Sequence, residues 1–412
     1  MNSISVRGVL MKDNSNALKS LSFEEKKIFN LLQKNGRLSK NKISSRTDIK
    51  LTTLNYVMEP LEKSKMIVES CIGESTGGRR PILYDININD FYIIGIDISI
   101  LYTQVVITNL KMEILYKELF NMDDSYTPCE TVKKVVEIIN RAYANLNLSH
   151  MKLLGIGVGS VGPLDIKNGI IKNPVDFFAD KWTDVPIKKM LEEKLKHPVI
   201  VENGANAAVV AEYFYGVGRG IENIAFFNCG IGIRTGTISS GHLIRTINDE
   251  EEAFGHMTID IDGEKCKCGN YGCLECYSTI KAIIKNISKK IKKGRHTIIN
   301  KPVEEIDYKD VCLAAEMGDE LSIDIITDAA LILGSGLSNY IKLLSPKLVI
   351  LTGPLIINSK LFYEVCVKST LKNLNSTKGK SVIFNRCGYF SGDAISIGAS
   401  AMVIERCLES GI

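Results

Sequence analysis

Residues 255–275 read GHMTIDIDGEKCKCGNYGCLE. Within this stretch His256, Cys266, Cys268 and Cys273 fall inside eighteen residues. Thiolates and imidazole together are the ligand set of a closed tetrahedral zinc site. Gly269 and Gly272 let the backbone turn sharply, so that Cys273 faces back toward Cys266 and Cys268. The CxCGxxGC spacing predicts a structural Zn2+. The alternative is a set of reduced, buried cysteines without a special role. That suits Cys312, Cys366 and Cys407 but not the cluster.

Working outward, 412 residues exceed one compact core and predict two or three domains. An apolar content of 45% is that of a globular protein. No run of eighteen apolar residues suggests a membrane span, and the first twenty residues lack the apolar core of a signal peptide. Eleven mostly scattered cysteines fit a reducing cytoplasm. The net charge is +4, unevenly spread. Residues 1–85 hold fifteen Lys and Arg against nine Asp and Glu (+6), and the remainder thirty-six against thirty-eight (−2). A basic segment on a near-neutral body points to a nucleic-acid-binding module. An ordinary solvated surface is the alternative.

The basic segment has helical periodicity. Ser22 and Glu25 form an S-x-x-E capping box at the start of a helix over 22–35, with Ile28, Leu31 and Leu32 as its apolar stripe. Ser39 predicts a second N-cap, with Ile43 buried. A third helix begins near Leu51 and buries Leu54, Val57 and Leu61. Pro60 is expected to kink its last turn. KMIVESCI and PILYDIN, around GESTGGRR, read as the strands of a wing. This is a winged helix-turn-helix whose third helix enters the major groove of double-stranded operator DNA. Its exposed face offers Thr52, Thr53, Asn55 and Tyr56 to base edges. Lys40, Lys42, Arg46 and Lys50 can reach phosphate. A winged helix serving protein contacts is the alternative.

From Phe91 the pattern alternates β and α. YIIGIDI, TQVVITNL and EILYKELF read as strands, a helix spans about 129–146, and LLGIGVGSV returns to the sheet. A second, similar unit starts at NIAFFNCGIGIRTGTISSGHL. Two such lobes imply a ligand cleft that closes by hinge motion.

GHMTID followed by CKCGNYGCLE resembles the zinc motif of the ROK family, which contains sugar kinases and sugar-responsive repressors. The resemblance runs from about residue 20 to the C-terminus. It implies an α/β body of the actin-like ATPase (ribonuclease H-like) fold. The expected domains are a winged helix-turn-helix over 1–87, a first lobe over 88–206 plus 385–412, and a second lobe over 207–384 carrying the zinc motif. GGRRP at 77–81 resembles the junction of the family's repressors. There Arg79 and Arg80 follow a minor groove or phosphates, or belong to a linker.

Against the family's kinases the nucleotide loops differ. Where D-x-G-x-T is the pattern, the chain has Asp97-Ile98-Ser99-Ile100-Leu101. The second glycine hairpin carries Arg234, and the third loop is Thr352-Gly353-Pro354. The kinases' E-N-D becomes Glu202-Asn203-Gly204, which removes the base of phosphoryl transfer. The family's Glu three residues before the histidine is Ala253, and Glu252 substitutes only if the loop shifts. The resemblance leaves Asn203, His256, Glu275, Gly162 and Pro163 as sugar-binding candidates, with local capping or loop hydrogen bonding as the alternative for Asn203 and Glu275.

These features together read as a non-enzymatic transcriptional regulator, a repressor of carbohydrate (xylose or amino-sugar) utilisation genes. A homodimer or dimer of dimers would bind operator DNA and release it on binding a sugar, with no membrane partner. Two rivals are an active ROK sugar kinase with a fused DNA-binding domain, against which Gly204 stands, and a regulator answering to a protein partner, which Ala253 favours.

Overall fold

The structure is a computed structural model that describes residues 17–72, 80–148, 151–174, 176–245, 253–374 and 381–408. The N-terminal module comprises α1 (Phe23–Asn35), β1 (Leu38–Ser39), α2 (Lys40–Thr47), α3 (Leu51–Lys63), β2 (Ile67–Ile72) and β3 (Ile82–Ile86). Both halves of the capping box form. Glu25 N donates to Ser22 Oγ at 3.3 Å, and Ser22 N donates to a Glu25 carboxylate oxygen at 2.8 Å. This satisfies two of the amides that a helix start leaves unpaired. Ser39 caps α2. Leu54, Val57, Met58 and Leu61 bury one face of α3, with Pro60 inside its C-terminal part. The wing sheet has the order β1-β3-β2.

The first lobe contains β4 (Phe91–Ile98), β5 (Tyr102–Thr108), β6 (Ile114–Asn121), α4 (Pro128–Asn145), β7 (Lys152–Ser160), β8 (Leu164–Asp165), β9 (Ile170–Ile171), α5 (Ile187–Leu195) and β10 (Val199–Asn203). After α6 (Gly204–Tyr215), the second lobe has β11 (Ile224–Cys229), β12 (Ile233–Ser239), β13 (His242–Leu243), α7 (Ile280–Lys292), α8 (Tyr308–Glu316), α9 (Glu320–Leu344), β14 (Leu348–Thr352), α10 (Pro354–Asn358), α11 (Lys360–Asn373) and β15 (Ile383–Arg386). The chain closes with α12 (Ala394–Leu408). By length and composition α9 could cross a bilayer. Here Leu321, Ile325, Ile326, Leu333 and Leu337 bury it in the second core instead.

The two sheets repeat one plan. In β10-β7-β4-β5-β6 the first three strands run parallel and β4, β5 and β6 antiparallel. In β15-β14-β11-β12-β13 the same holds, with β11 in the place of β4. The body is thus a duplicated mixed α/β unit of the actin-like fold.

Small residues set how the lobes stack. A Cβ on Gly157 of β7 would come 1.9 Å from Ala399 O, and one on Gly95 of β4 2.0 Å from Ser396 O. α12 therefore lies directly on the first sheet. Gly398 of α12 allows the same approach to Ala207 of α6, and Gly236 of β12 to Ala205. The order is first sheet, α12, α6, second sheet. A lobe boundary at 206/207 falls inside α6, which touches both lobes. A return at 385 falls inside β15, which pairs with β14 of the second lobe.

The winged helix is docked on this middle layer. Its buried Leu18, Ile28 and Leu32 are continuous with Leu110, Ala207, Ala401 and Cys407 of the body. Gln33 Nε2 donates to Tyr215 Oη at 3.0 Å and to Leu110 O. Lys34 Nζ lies 3.7 Å from the Phe214 ring centroid, and Lys111 pairs with Asp85 at 2.6 Å.

Candidate functional site

The glycine turns of the motif stretch bring its ligands together. Gly269 (φ 94°) and Gly272 (φ 65°) adopt conformations that side chains disfavour. A Cβ on Gly272 would also meet Asp260 O at 1.5 Å. The ligand atoms of His256, Cys266, Cys268 and Cys273 all lie within 4.8 Å of one another. His256 Nδ1 is 3.5 Å from Cys266 Sγ, and Cys268 Sγ is 3.6 Å from Cys273 Sγ. A tetrahedron with Zn–S bonds of about 2.3 Å has edges of about 3.8 Å. The donor set and its spacing therefore fit one four-coordinate metal ion.

Beyond Cys273, a 3-10 turn over Leu274–Cys276 carries Glu275, which is buried. Its Oε1 accepts from Ile233 N at 2.8 Å and from Arg234 Nη1 at 2.7 Å, and its Oε2 lies 3.4 Å from Lys267 Nζ. Burial opposes ionisation of Glu275. The Arg234 and Lys267 charges outweigh it and hold the carboxyl below the usual carboxylate range. Lys267 also donates to Asp176 Oδ2 at 2.6 Å, and Lys281 of α7 donates to Asp176 Oδ1. Sequence reasoning missed this run of alternating charges. In the sequence Arg234 stands out only for its bulk, and neither Lys267 between two cysteines nor Asp176 in an irregular segment matches a motif.

The other sugar candidates sit at the C-terminal ends of neighbouring parallel strands, the usual ligand end of such sheets. Asn203 ends β10 and pairs in register with Ser160 of β7. Its Oδ1 accepts from Ala205 N at 2.8 Å and Asn206 N at 3.4 Å, so Asn203 is the N-cap of α6. Gly162 and Pro163 follow β7 and are joined by a cis peptide. A Cβ at Gly204 would stand 3.3 Å from Ile395 Cγ2. His256 is half-buried.

The three stretches that differ from the kinases' nucleotide-loop patterns pack closely against their surroundings. Asp97 is fully buried, with Ser99 Oγ donating to its Oδ1 at 2.6 Å and Tyr102 also bonded to it. Burial pushes its carboxyl up to about 7 against these bonds. The Gly353 Cβ position lies 2.2 Å from Asn228 Oδ1, and that of Gly230 lies 3.2 Å from Pro354 Cδ.

On the winged helix, Thr52, Thr53, Asn55 and Tyr56 form one exposed face of α3, with Tyr56 79% exposed. Lys40 Nζ donates to Asn55 Oδ1 at 2.7 Å, which orients that amide. Lys42, Lys50 and Arg80 are exposed. Arg46 donates to Asn35 Oδ1 at 2.6 Å and so ties α2 to the end of α1. Arg79 and Glu252 lie outside the described residues.

The ROK family profile matches residues 93–406, and a winged helix-turn-helix DNA-binding profile matches residues 25–68. The xylose repressor of Bacillus subtilis is 28% identical over 387 residues, covering 93% of this chain and 96% of that protein. The DNA-binding transcriptional dual regulator NagC of Escherichia coli is 24% identical over 330 residues, 79% of each chain. A solved ROK family transcriptional regulator, a homologue of the E. coli MLC protein, has the same fold. Its TM-score is 0.77 at 20% identity, covering 95% of this chain and 97% of that one. With the family's profile spanning well over half of its length, this chain belongs to the ROK family.

Proposed function

We propose that the chain is a sugar-responsive, DNA-binding repressor of carbohydrate utilisation genes, acting in the cytoplasm as a homodimer or dimer of dimers. The observation that carries this reading is the docking of the winged helix on the α6–α12 layer between the lobes. Movement of the lobes about that layer then moves the DNA-reading helix. In a symmetric assembly this changes the spacing of the two half-site readers. Thr52, Thr53, Asn55 and Tyr56 read bases; Lys40, Lys42, Lys50, Arg79 and Arg80 hold phosphates, with Arg46 at their edge. The xylose repressor and NagC, matched over 96% and 79% of their lengths, are named as a repressor and a transcriptional regulator, which supports this reading.

The metal in this reading is one structural Zn2+ held by His256, Cys266, Cys268 and Cys273. It stiffens the loop that presents Glu275. The effector lies between Gly162–Pro163, Asn203, His256 and Glu275. In this reading phosphoryl transfer is absent: Gly204 offers no base, Asp97 is engaged by Ser99 and Tyr102, and Arg234 and Pro354 stand where the kinases' loops carry small residues. The test is operator retention in a gel by the full chain, titrated with a panel of pentoses, hexoses and amino sugars, beside an ADP-release assay on the same panel. The expected outcome is retention relieved by one sugar class, with no turnover. Turnover at about 1–100 s⁻¹ establishes the kinase instead.

A further inference from the structure

We infer that Asp176 is a positioning residue of the effector cleft: it holds the metal loop of the second lobe against the first lobe through Lys267 and Lys281. This rests on the reading that the cleft between the lobes takes the effector.

The charges form a single file, Lys281, Asp176, Lys267, Glu275 and Arg234, alternating in sign. Four of the five belong to the second lobe: Arg234 to β12, Lys267 and Glu275 to the metal loop, and Lys281 to α7. Asp176 alone comes from the first lobe, in the segment between β9 and α5. Opening the lobes therefore leaves the Glu275 contacts intact and breaks the file at Asp176. The Asp176 side chain is only 6% exposed and that of Glu275 5%, so in this arrangement both charges are out of water. A buried carboxylate is tolerable only while paired. Charge-assisted bonds are roughly twice as strong as neutral ones. The two bonds to Asp176 thus make closure cooperative with the placement of Lys267, and Lys267 fixes the side of Glu275 that Arg234 does not.

Position matters as much as strength. Lys267 lies between Cys266 and Cys268, so whatever holds Lys267 holds the metal-binding turn. A second ion pair, Glu202 with Arg245 at 2.7 Å, also crosses between the lobes, but beside the start of α6. Asp176 instead ties the metal loop and the first turn of α7. An effector that binds the closed arrangement gains from a latch that already favours it, and loses affinity when the latch is cut.

The experiment uses the full chain and four variants: Asp176→Asn, Asp176→Glu, Lys281→Met, and the double variant Asp176→Asn/Lys281→Met. Asp176 keeps its pair with Lys267 when Lys281, itself 61% exposed, is replaced, so that variant leaves no buried orphan. Zinc content and melting temperature serve as controls. Three quantities are read: the radius of gyration in solution without ligand, the affinity for the sugar that relieves operator retention, and the concentration of that sugar needed for relief. Asp176→Asn is expected to enlarge the particle without ligand and to raise both sugar concentrations at least tenfold, with zinc content unchanged. Asp176→Glu should retain most of the native response. The double variant should be no worse than Asp176→Asn alone, because both substitutions cut the same ion pair. An Asp176→Asn chain with native radius and native sugar affinity overturns the inference, and so does a weakening that follows the release of zinc. If no sugar binds the native chain, the effector reading fails; the latch then stands or falls on the radius alone.

Discussion

Ser22 and Glu25 cap α1 from three residues apart, whereas Asp176 and Lys267 meet across 91 residues and Asp176 and Lys281 across 105. The winged helix is built mostly from interactions of the first kind and the cleft from interactions of the second. Its caps, stripes and turns are local commitments of the backbone. Each charge in the cleft acquires its partner only when two lobes and a metal loop have folded around it. The two regions should therefore fail differently. Each substitution on the winged helix should weaken DNA binding only by the strength of the interaction it removes, while damage to the cleft should propagate along the file of charges.

The largest effect expected is from the metal. Cys268→Ser should lower bound zinc from about one equivalent to less than half, since structural zinc contributes roughly 10–16 kcal/mol of apparent binding energy that is coupled to folding. It should also abolish the sugar response. Elemental analysis of protein never exposed to chelator decides this, and a native-like zinc content in the variant would remove His256, Cys266, Cys268 and Cys273 as the ligand set.

Glu275→Gln comes next. It leaves Arg234, whose side chain is 12% exposed, facing a neutral partner. Loss of one member of a buried ion pair costs about 3–5 kcal/mol, to be read from denaturant midpoints. A cost below about 1 kcal/mol would mean that the file is no more than surface pairing.

Asp97 gives a pH test of the first lobe. Its carboxyl sits at about 7 in the folded chain, against an ordinary value of 3.8. Between those values the folded state holds a proton that the unfolded chain has released. Stability therefore falls as pH rises through that window and levels off above it. Asp97→Asn mimics the neutral acid, so it should melt like the native chain at pH 4 and a few degrees higher at pH 8. Parallel melting curves for the two proteins across this range would show that Asp97 is ionised in the fold.

On the winged helix the effects are smaller and separable. Asn55→Ala or Tyr56→Ala should cost about 1–3 kcal/mol in operator affinity and alter base preference. Lys50→Ala should weaken all sequences alike and lower the salt slope by about one. If Asn55→Ala behaves like Lys50→Ala, α3 does not read bases. Ser22→Ala should cost about 1 kcal/mol of stability, the smallest change of the set. Excising the module is a poor substitute for these variants. Its core is continuous with Leu110, Ala401 and Cys407, and cutting it away would bare that surface.

Much of this architecture was legible in the residues. Ser22, Ser39 and the Leu54–Val57–Leu61 spacing announced the three helices because capping and amphipathicity act over a few residues. The gathering of His256, Cys266, Cys268 and Cys273 was legible for the same reason: two glycines turn a short loop upon itself. Asn203 was less so. Its side chain caps α6, the local role that stood as the alternative to sugar binding, and E-N-G by itself does not distinguish a cap from a ligand contact. The bulk of Arg234 was visible, but its partner Glu275 was not, since 41 residues separate them.

The sequence by itself determined the winged helix, the duplicated α/β units and the turn that gathers His256, Cys266, Cys268 and Cys273, since each depends on propensities and spacings within one element or one loop. Only the tertiary structure decided that glycines at 95, 157, 236 and 398 would let α12 and α6 stack between the sheets, that α1 would dock on that layer, and that Asp176 would meet Lys267 and Lys281. These are meetings of surfaces distant along the chain. Their strength comes from the exclusion of water when the surfaces come together, which no local spacing encodes.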